Sequence, residues 1–224
     1  MENGTNFSTG NHPVETYVPM LHMKDAGFKF DVATEHGSSV CFEMWAFPKK
    51  DENVNIFHEE MKEIMSKPKK LSEIASLNDY SAIFIPGGHG AMINLPFSKE
   101  LGRLLHLAHD QSLPTVTLCH GPGALLSTAA DGLGKDFVYK GYKIMCFTDK
   151  TDKFTPSVGY LPGAMPWKCQ ETLEEKGIQV LNSSESGKVY QDRELITGDS
   201  PDAANNLGIL AAPILVEYAN KYKM

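Results

Sequence analysis

The amino-acid sequence predicts an α/β fold, with a mainly parallel sheet and helices on both faces. Short apolar runs, such as residues 82–85 and 115–118, alternate with segments whose apolar residues recur at helical spacing. Such alternation is typical of parallel sheets joined by crossover helices. The 224 residues, of which 42% are hydrophobic and 22% charged, suit one globular domain over residues 1–224 with a small insertion.

Local patterns predict the elements of the N-terminal half. Asn11 is a suitable N-cap for a helix that ends near Gly27, and residues 28–33 alternate apolar and polar side chains as a strand does. Residues 41–77 are less regular and contain one amphipathic helix near 56–65. We expect this block to form a cap or side element of the domain.

The C-terminal half repeats the strand and helix pattern. A buried strand at 82–85 runs into a glycine-rich turn at 86–91, and residues 149–167 read as a long irregular loop, which in compact domains is usually functional. The other predicted elements are helices at 98–110, 168–176 and 200–222, strands at 142–147 and 178–181, and short edge strands at 189–190 and 194–197.

The stretch around Cys119 is the strongest chemical signal. An apolar run ends at this cysteine, and Gly121 and Gly123 then permit a tight turn into a helix that is expected to reach about residue 129. A thiol at such an elbow faces unpaired backbone N–H groups and the positive end of a helix dipole, and both favour the thiolate. The alternative is a buried and inert cysteine at the end of a core strand.

Ligands of parallel sheets bind at the carboxyl ends of the strands, so Cys119, the Gly87-Gly88 turn and the loop after Phe147 should share one rim. The N–H groups of Gly88 and His120 are candidates for an oxyanion site, although the glycines could form only a tight turn. Side chains diverge at an elbow, so adjacency alone does not make His120 the general base for Cys119.

Two acidic residues complete the candidate catalytic set. Asp152, in the long loop, could orient His120, although a loop aspartate is usually a solvated turn residue. Glu15 lies in the first turn of its helix. Packed against Cys119, it would compete with the thiol for one proton, and otherwise it would face water.

Composition excludes several classes of partner. The net charge of −7, without a basic run, does not suggest nucleic-acid binding, and the apolar stretches are too short to cross a membrane. Four cysteines without paired spacing, together with a start unlike a signal peptide, fit a reduced cytoplasmic protein. The histidines show no metal-ligand spacing, so we predict no metal and no other cofactor.

Several motifs resemble the PfpI superfamily, which is related to the glutamine-amidotransferase domain. They are residues 85–90 (IPGGHG) and 118–122 (LCHGP), and more specifically 7–16 (FSTGNHPVET), 159–163 (GYLPG) and 195–201 (LITGDSP), which are similar to a bacterial group of holding chaperones and deglycases. The resemblance implies a flavodoxin-like sandwich and a homodimer. It also implies that Cys119 is the nucleophile, His120 its partner, Asp152 the residue that orients His120, and Glu15 the acid beside the sulfur.

The implied activity is the glutathione-independent conversion of methylglyoxal to lactate, with removal of early glycation adducts from proteins or nucleotides and holding of unfolded clients as related roles. A chaperone without important catalysis, or a cysteine peptidase or amidase, is the alternative. The bacterial group carries a metal site whose positions correspond here to Lys24, Lys29 and Met61, so its absence is expected. Relatives also begin before a first interior strand, which is expected to be missing from this chain.

Overall fold

The computed structural model describes residues 1–130, 133 and 136–222 and has the predicted parallel α/β architecture. The central sheet has the order β3 (Ile83–Ile85), β4 (Thr115–Leu118), β8 (Leu195–Gly198) and β7 (Val189–Asp192). Strands β3, β4 and β8 are parallel, and β7 is antiparallel to β8. Two parallel pairs form separate sheets: β1 (Ala33–Thr34) with β2 (Lys69–Lys70), and β5 (Lys143–Ile144) with β6 (Gln179–Val180).

Helices cover both faces of the central sheet. They are α1 (Pro13–Asp25), α2 (Glu52–Ser66), α3 (Lys99–Asp110), α4 (Asp149–Phe154), α5 (Cys169–Glu175) and α6 (Ala204–Tyr222). Neighbouring strand residues point to opposite faces. Accordingly Ile196 packs in one core with α1 and α6, whereas Leu195 packs in another with α3. This arrangement confirms the predicted α/β fold. Within the described residues, no helix combines the length and the hydrophobicity that a membrane crossing requires.

The position of β8 differs from the sequence prediction. Residues 194–197 were expected to form an edge strand, but β8 lies between β4 and β7, and all four of its residues are buried. The hairpin from β7 turns at Arg193, whose φ is +58°, and this turn places β7 at the edge instead. Glycine at 198 lets Leu118 of β4 and Ala203 approach to within 3.0–3.2 Å of where a Cβ would lie.

Several boundaries also differ. Of the strand expected at 28–33, only Ala33 pairs in a ladder, because β1 begins there and pairs with just two residues of β2. The helix after the elbow is a 3-10 helix, Gly121–Ala129. The expected loop at 149–167 begins with α4 and the 3-10 helix Thr155–Val158. Helix α1 begins after His12, and Asn11 forms a bridge with Phe42 instead of a cap.

Residues 41–77 pack beside the central sheet. Helix α2 buries Val54 and Phe57 against Tyr17 and Met20 of α1, and the following strand β2 pairs with β1. The division into a domain and a cap stays a prediction. In the described part of the chain, β4 is the one ladder partner of β3, so β3 forms an edge of the central sheet.

Candidate active site

The elbow after β4 holds Cys119 in a conformation that is unusual for a residue with a side chain. Its φ is +56°, a left-handed value that costs about 1–2 kcal/mol in a residue other than glycine. The thiol is only 3% exposed. The turn is tight, because a Cβ on Gly121 would lie 2.3 Å from Thr117 Oγ1 and 2.7 Å from the Ile85 carbonyl oxygen. Strain of this kind is common at nucleophile elbows.

The glycine turn after β3 lies beside this thiol. Gly88 has φ +99°, and a Cβ there would lie 2.4 Å from the Gly10 carbonyl oxygen, so glycine is required for two reasons. The backbone N–H groups of Gly88 and His120 donate to the Cys119 sulfur, and both bonds act to lower the pKa of the thiol. The two predicted donors therefore converge on Cys119.

Glu15 is completely buried and packs against the elbow. A Cβ on Gly87 would lie 2.2 Å from Glu15 Oε2 and 2.7 Å from the Cys119 Cβ, which shows that the glycine leaves room for both side chains. Neither carboxyl oxygen has hydrogen-bond geometry with a donor in the described residues.

Burial raises the pKa of Glu15 well above its ordinary value, and the contact with Cys119 opposes this rise only in part. Burial and the negative Glu15 also raise the pKa of Cys119. Two buried acids in contact do not both ionise, because each charge disfavours the other. The pair therefore holds at least one proton at neutral pH.

His120 faces the sulfur, contrary to the expectation that the two side chains diverge. Its Nδ1 lies 3.4 Å from Cys119 Sγ, and its Nε2 lies 2.8 Å from Asp152 Oδ2. Asp152 is held on α4, whose N-cap Thr148 donates from its backbone N–H and its hydroxyl to Glu185 at 2.8 and 2.7 Å. The carboxylate of Asp152 selects the tautomer with hydrogen on Nε2, so the Nδ1 lone pair points at the thiol.

The sequence analysis did not single out His89 and Glu43 as site residues, although both are buried here. His89 Nε2 lies 3.1 Å from Asp152 Oδ1, and its Nδ1 lies 3.6 Å from Glu43 Oε1. Glu43 also accepts from the Thr9 hydroxyl at 2.8 Å. His89 belongs to the glycine-rich turn, whose sequence predicts a role for the backbone N–H of Gly88 but none for the histidine ring. Glu43 lies in the irregular block, and no local pattern marks it.

Two aromatic side chains, Trp45 and Tyr160, lie beside the histidines of the site. The rings of Trp45 and Tyr160 meet edge to face with centroids 4.8 Å apart, and Tyr160 lies 5.9 Å from the ring of His89. His12 lies below Trp45, and burial lowers its pKa to about 4, so its ring is neutral at physiological pH.

Among the described residues, the donors close enough to share a metal ion are His89, His120 and Asp152, whose ligand atoms lie within 4.8 Å of one another. Both oxygens of Asp152 already bond to the two rings, so the side chains are held without an ion. At one position of the metal site implied by the resemblance, Lys24 pairs with Glu60 at 2.5 Å. The absence of a metal stays a prediction.

The chain is similar to several known proteins. The model of the DJ-1/PfpI family matches residues 7–140. The protein/nucleic acid deglycases HchA of Pseudomonas aeruginosa (strain UCBPP-PA14) and Escherichia coli O157:H7 (strain EC4115 / EHEC) are 45% and 47% identical to this chain. Each alignment covers 97% of this chain and 77% of the relative.

Among solved structures, the Rapid Encystment Protein 24 kDa of Francisella tularensis matches with a TM-score of 0.82 and 21% identity, covering 95% of this chain and 92% of that one. The glyoxalase III of Candida albicans matches with a TM-score of 0.73 and 22% identity, covering 91% and 88%. These two likenesses concern the fold. From the family model and the two deglycases together, the chain belongs to the DJ-1/PfpI family.

Proposed function

We propose that this chain is a cysteine-dependent enzyme that converts methylglyoxal to lactate without glutathione and acts as a deglycase on early glycation adducts. The observation that carries the proposal is the buried pair of Cys119 and Glu15, which lie together on either side of Gly87 at the end of β4. Identity of 45–47% to HchA deglycases supports the enzyme class. The roles assigned to the individual residues below are part of the proposal.

The first step is activation of the sulfur. His120 is neutral, because burial and the positive His89 lower its pKa, and its Nδ1 lies 3.4 Å from the Cys119 thiol. A neutral imidazole at this distance accepts the thiol proton, as in other cysteine and histidine pairs. The resulting thiolate receives hydrogen bonds from the N–H groups of Gly88 and His120.

The thiolate then forms a C–S bond with the aldehyde carbon of methylglyoxal. The negative charge moves to the former aldehyde oxygen, which takes the proton of Glu15, so that Glu15 becomes a carboxylate base. Glu15 next removes the hydrogen on this carbon, and the released electron pair forms an enediol while the neighbouring ketone oxygen is protonated by His120. Glu15 then returns the proton to the former ketone carbon while the hydroxyl on the sulfur-bearing carbon passes its proton to His120, and the product is a lactoyl thioester.

Water completes the reaction. It adds to the thioester carbonyl, the C–S bond breaks, and lactate and the Cys119 thiol are released. The net reaction is methylglyoxal plus water to lactic acid, so no external oxidant or reductant is needed. In deglycation the thiolate displaces the amine or thiol of the adduct: a C–S bond forms to the adduct carbon, the bond from that carbon to the amine or thiol breaks, and the leaving group takes the proton of Glu15, so that the same hemithioacetal results.

The test uses purified protein without added thiol. Wild type and Cys41→Ala, in which the exposed Cys41 is removed, should form lactate from methylglyoxal at equal rates, whereas Cys119→Ala should form none. Lactate formation by Cys119→Ala would refute the proposal. For the deglycase activity, loss of a methylglyoxal adduct of N-acetylcysteine should be faster with enzyme than its spontaneous dissociation. Equal rates would restrict the enzyme to free aldehydes.

A holding-chaperone role is a second candidate, because large apolar side chains are exposed near the site. Trp45, Phe154 and Val158 are 53%, 62% and 61% exposed, and exposed apolar surface is what unfolded clients bind. Suppression of the aggregation of a heated client by Cys119→Ala, at the wild-type level, would support this role, and no suppression by either protein would exclude it. A homodimer, also expected, is tested by light scattering.

A further inference from the structure

His89 is a second buried imidazole beside His120 that the proposed reaction does not use. The two ring centroids are 4.3 Å apart. His89 Nε2 lies 3.1 Å from Asp152 Oδ1, and His120 Nε2 lies 2.8 Å from the other oxygen, Asp152 Oδ2. One carboxylate thus bonds to both histidines. On its other side, the His89 ring lies at ion-pair distance from Glu43, 3.6 Å from Nδ1 to Oε1.

Opposite charges stabilise the cluster of Glu43, His89 and Asp152. Glu43 and Asp152 are both buried, and a buried carboxylate requires a cation or several donors. Burial by itself would lower the pKa of His89, but the hydrogen bond to Asp152 and the negative charges of Asp152 and Glu43 outweigh it and raise that pKa to about 9. At neutral pH the His89 ring is therefore an imidazolium between two carboxylates.

The same arrangement has the opposite effect on His120. Burial and the positive His89 lower the pKa of His120, and together they outweigh Asp152, which acts to raise it. With His89 neutral or absent, the full charge of Asp152 would act on His120 and favour its protonated form. A protonated His120 has no lone pair to accept a proton from Cys119.

We propose that His89 is a positioning residue which, as an imidazolium between Glu43 and Asp152, takes up the charge of Asp152 and keeps His120 neutral and able to accept a proton. This inference rests on the proposed function, because it assigns His120 the role of proton acceptor. Several other titratable groups surround the two rings. They are His12 and Glu15 at the start of α1, Glu43 before Trp45, Cys119 at the elbow, Asp152 on α4 and Tyr160 in the loop after it.

The test has a spectroscopic part and a kinetic part. In NMR titrations of the histidine ring protons of the wild type, the His89 resonance should titrate near pH 9. The His120 resonance should titrate at a pH below the ordinary pKa of histidine. Glu43→Gln should move the His89 titration down by about 1 pH unit or more, because one opposite charge is lost. A His89 resonance that titrates below pH 7 in the wild type would overturn the inference, whatever the activity.

The kinetic part uses His89→Gln, which removes the charge and keeps a hydrogen-bonding side chain. The acid limb of the kcat/KM profile should move up by about 1 pH unit, which lowers kcat/KM about tenfold on that limb and little above it. His106→Gln is the matched control, since His106 is equally buried but bonds to the Thr128 carbonyl oxygen away from the site, and its profile should not move. A uniform loss in His89→Gln without a shift would overturn the positioning role.

Failure of this inference is distinguishable from failure of the proposed function. Lactate formation by Cys119→Ala refutes the reaction but leaves the histidine titrations as they are. The wild-type and Glu43→Gln titrations also decide the matter if His89→Gln does not fold. In that case an unchanged His89 titration in Glu43→Gln would refute the role of Glu43 as its partner.

Discussion

Gly87→Ala should disrupt the site more than its small size suggests. Gly87 separates Glu15 from Cys119, and the added Cβ would lie 2.2 Å from Glu15 Oε2, 2.6 Å from the Leu118 carbonyl oxygen and 2.7 Å from the Cys119 Cβ. Two of these neighbours cannot move aside freely, because one is the backbone of β4 and the other is the first side-chain atom of the strained elbow. Glu15 must therefore shift, or the turn must open.

The magnitude follows from the overlap. Overpacking in a well-packed interior costs about 1–3 kcal/mol, and in a domain of this size each kcal/mol lowers Tm by about 2–4 °C. We therefore expect a fall in Tm of about 2–12 °C. Activity should fall further, since displacement of a reacting group by about 1 Å costs on the order of 100-fold. Thermal unfolding and kcat/KM for methylglyoxal measure the two effects.

Gly141→Ala is the matched control. Gly141 has φ +79° but nothing within 4 Å of an added Cβ, so the same substitution there adds backbone strain without a clash. It should cost about 1 kcal/mol of stability and leave kcat/KM unchanged. If Gly87→Ala lost no more activity than Gly141→Ala, the close packing of Glu15, Gly87 and Cys119 would not be what makes the site work.

Three further predictions concern charge. The folded-state pKa of Glu15 is raised, so its stabilising contribution is complete below about pH 4.3 and is lost as pH rises through the folded pKa. The free energy of unfolding of Glu15→Gln, measured in urea, should therefore rise relative to that of wild type between pH 4 and pH 8. A difference that stays constant over this range would refute the prediction. The pKa of Asp152 is lowered, so its contribution to folding stability is present above about pH 3.9 and is lost as pH falls. Asp152→Asn should therefore be most destabilised near pH 7, and its kcat should be lower by on the order of 100-fold or more. A loss of stability that grows toward pH 3 would contradict this prediction. 4-Carboxyphenylglyoxal, an anionic 2-oxoaldehyde, should have a kcat/KM at least about tenfold below that of uncharged phenylglyoxal because the site is negative, and equal values in parallel assays would show that charge does not select the substrate.

The sequence predicts those structural features that depend on residues close to one another along the chain. The strand at 115–118, the turn at Cys119 and the glycines after it are recognisable because each requires a residue type at a fixed local position. Strand order is not local. Residues 194–197 have the length and composition of an edge strand, and only the parallel pairing of β8 with β4 places them in the interior.

The cluster of Glu43, His89 and Asp152 shows more clearly that contacts between distant segments cannot be predicted from local sequence. Glu43, His89 and Asp152 come from three separate segments; the sequence marks the loop of Asp152 and the turn of His89 as candidate site segments, but no local pattern indicates that the three side chains meet. Their meeting depends on the loop that precedes Trp45, the turn after β3 and the start of α4. Glu15 is similar: its sequence position fits a water-facing helix end, and only the packing of α1 against the elbow buries it.

The charges of the site explain how a thiol beside an acid can still be activated. Glu43 and Asp152 are anionic and His89 is cationic, so full ionisation of both Glu15 and Cys119 would add two more buried negative charges to a site that already has a net charge of −1. Transfer of the thiol proton to His120, 3.4 Å away, forms the thiolate without changing that net charge. Bond formation to an aldehyde then moves the charge from sulfur to oxygen, where Glu15 can neutralise it. The proposed reaction therefore requires the raised pKa of Glu15, because an acid already ionised at neutral pH would have no proton to give.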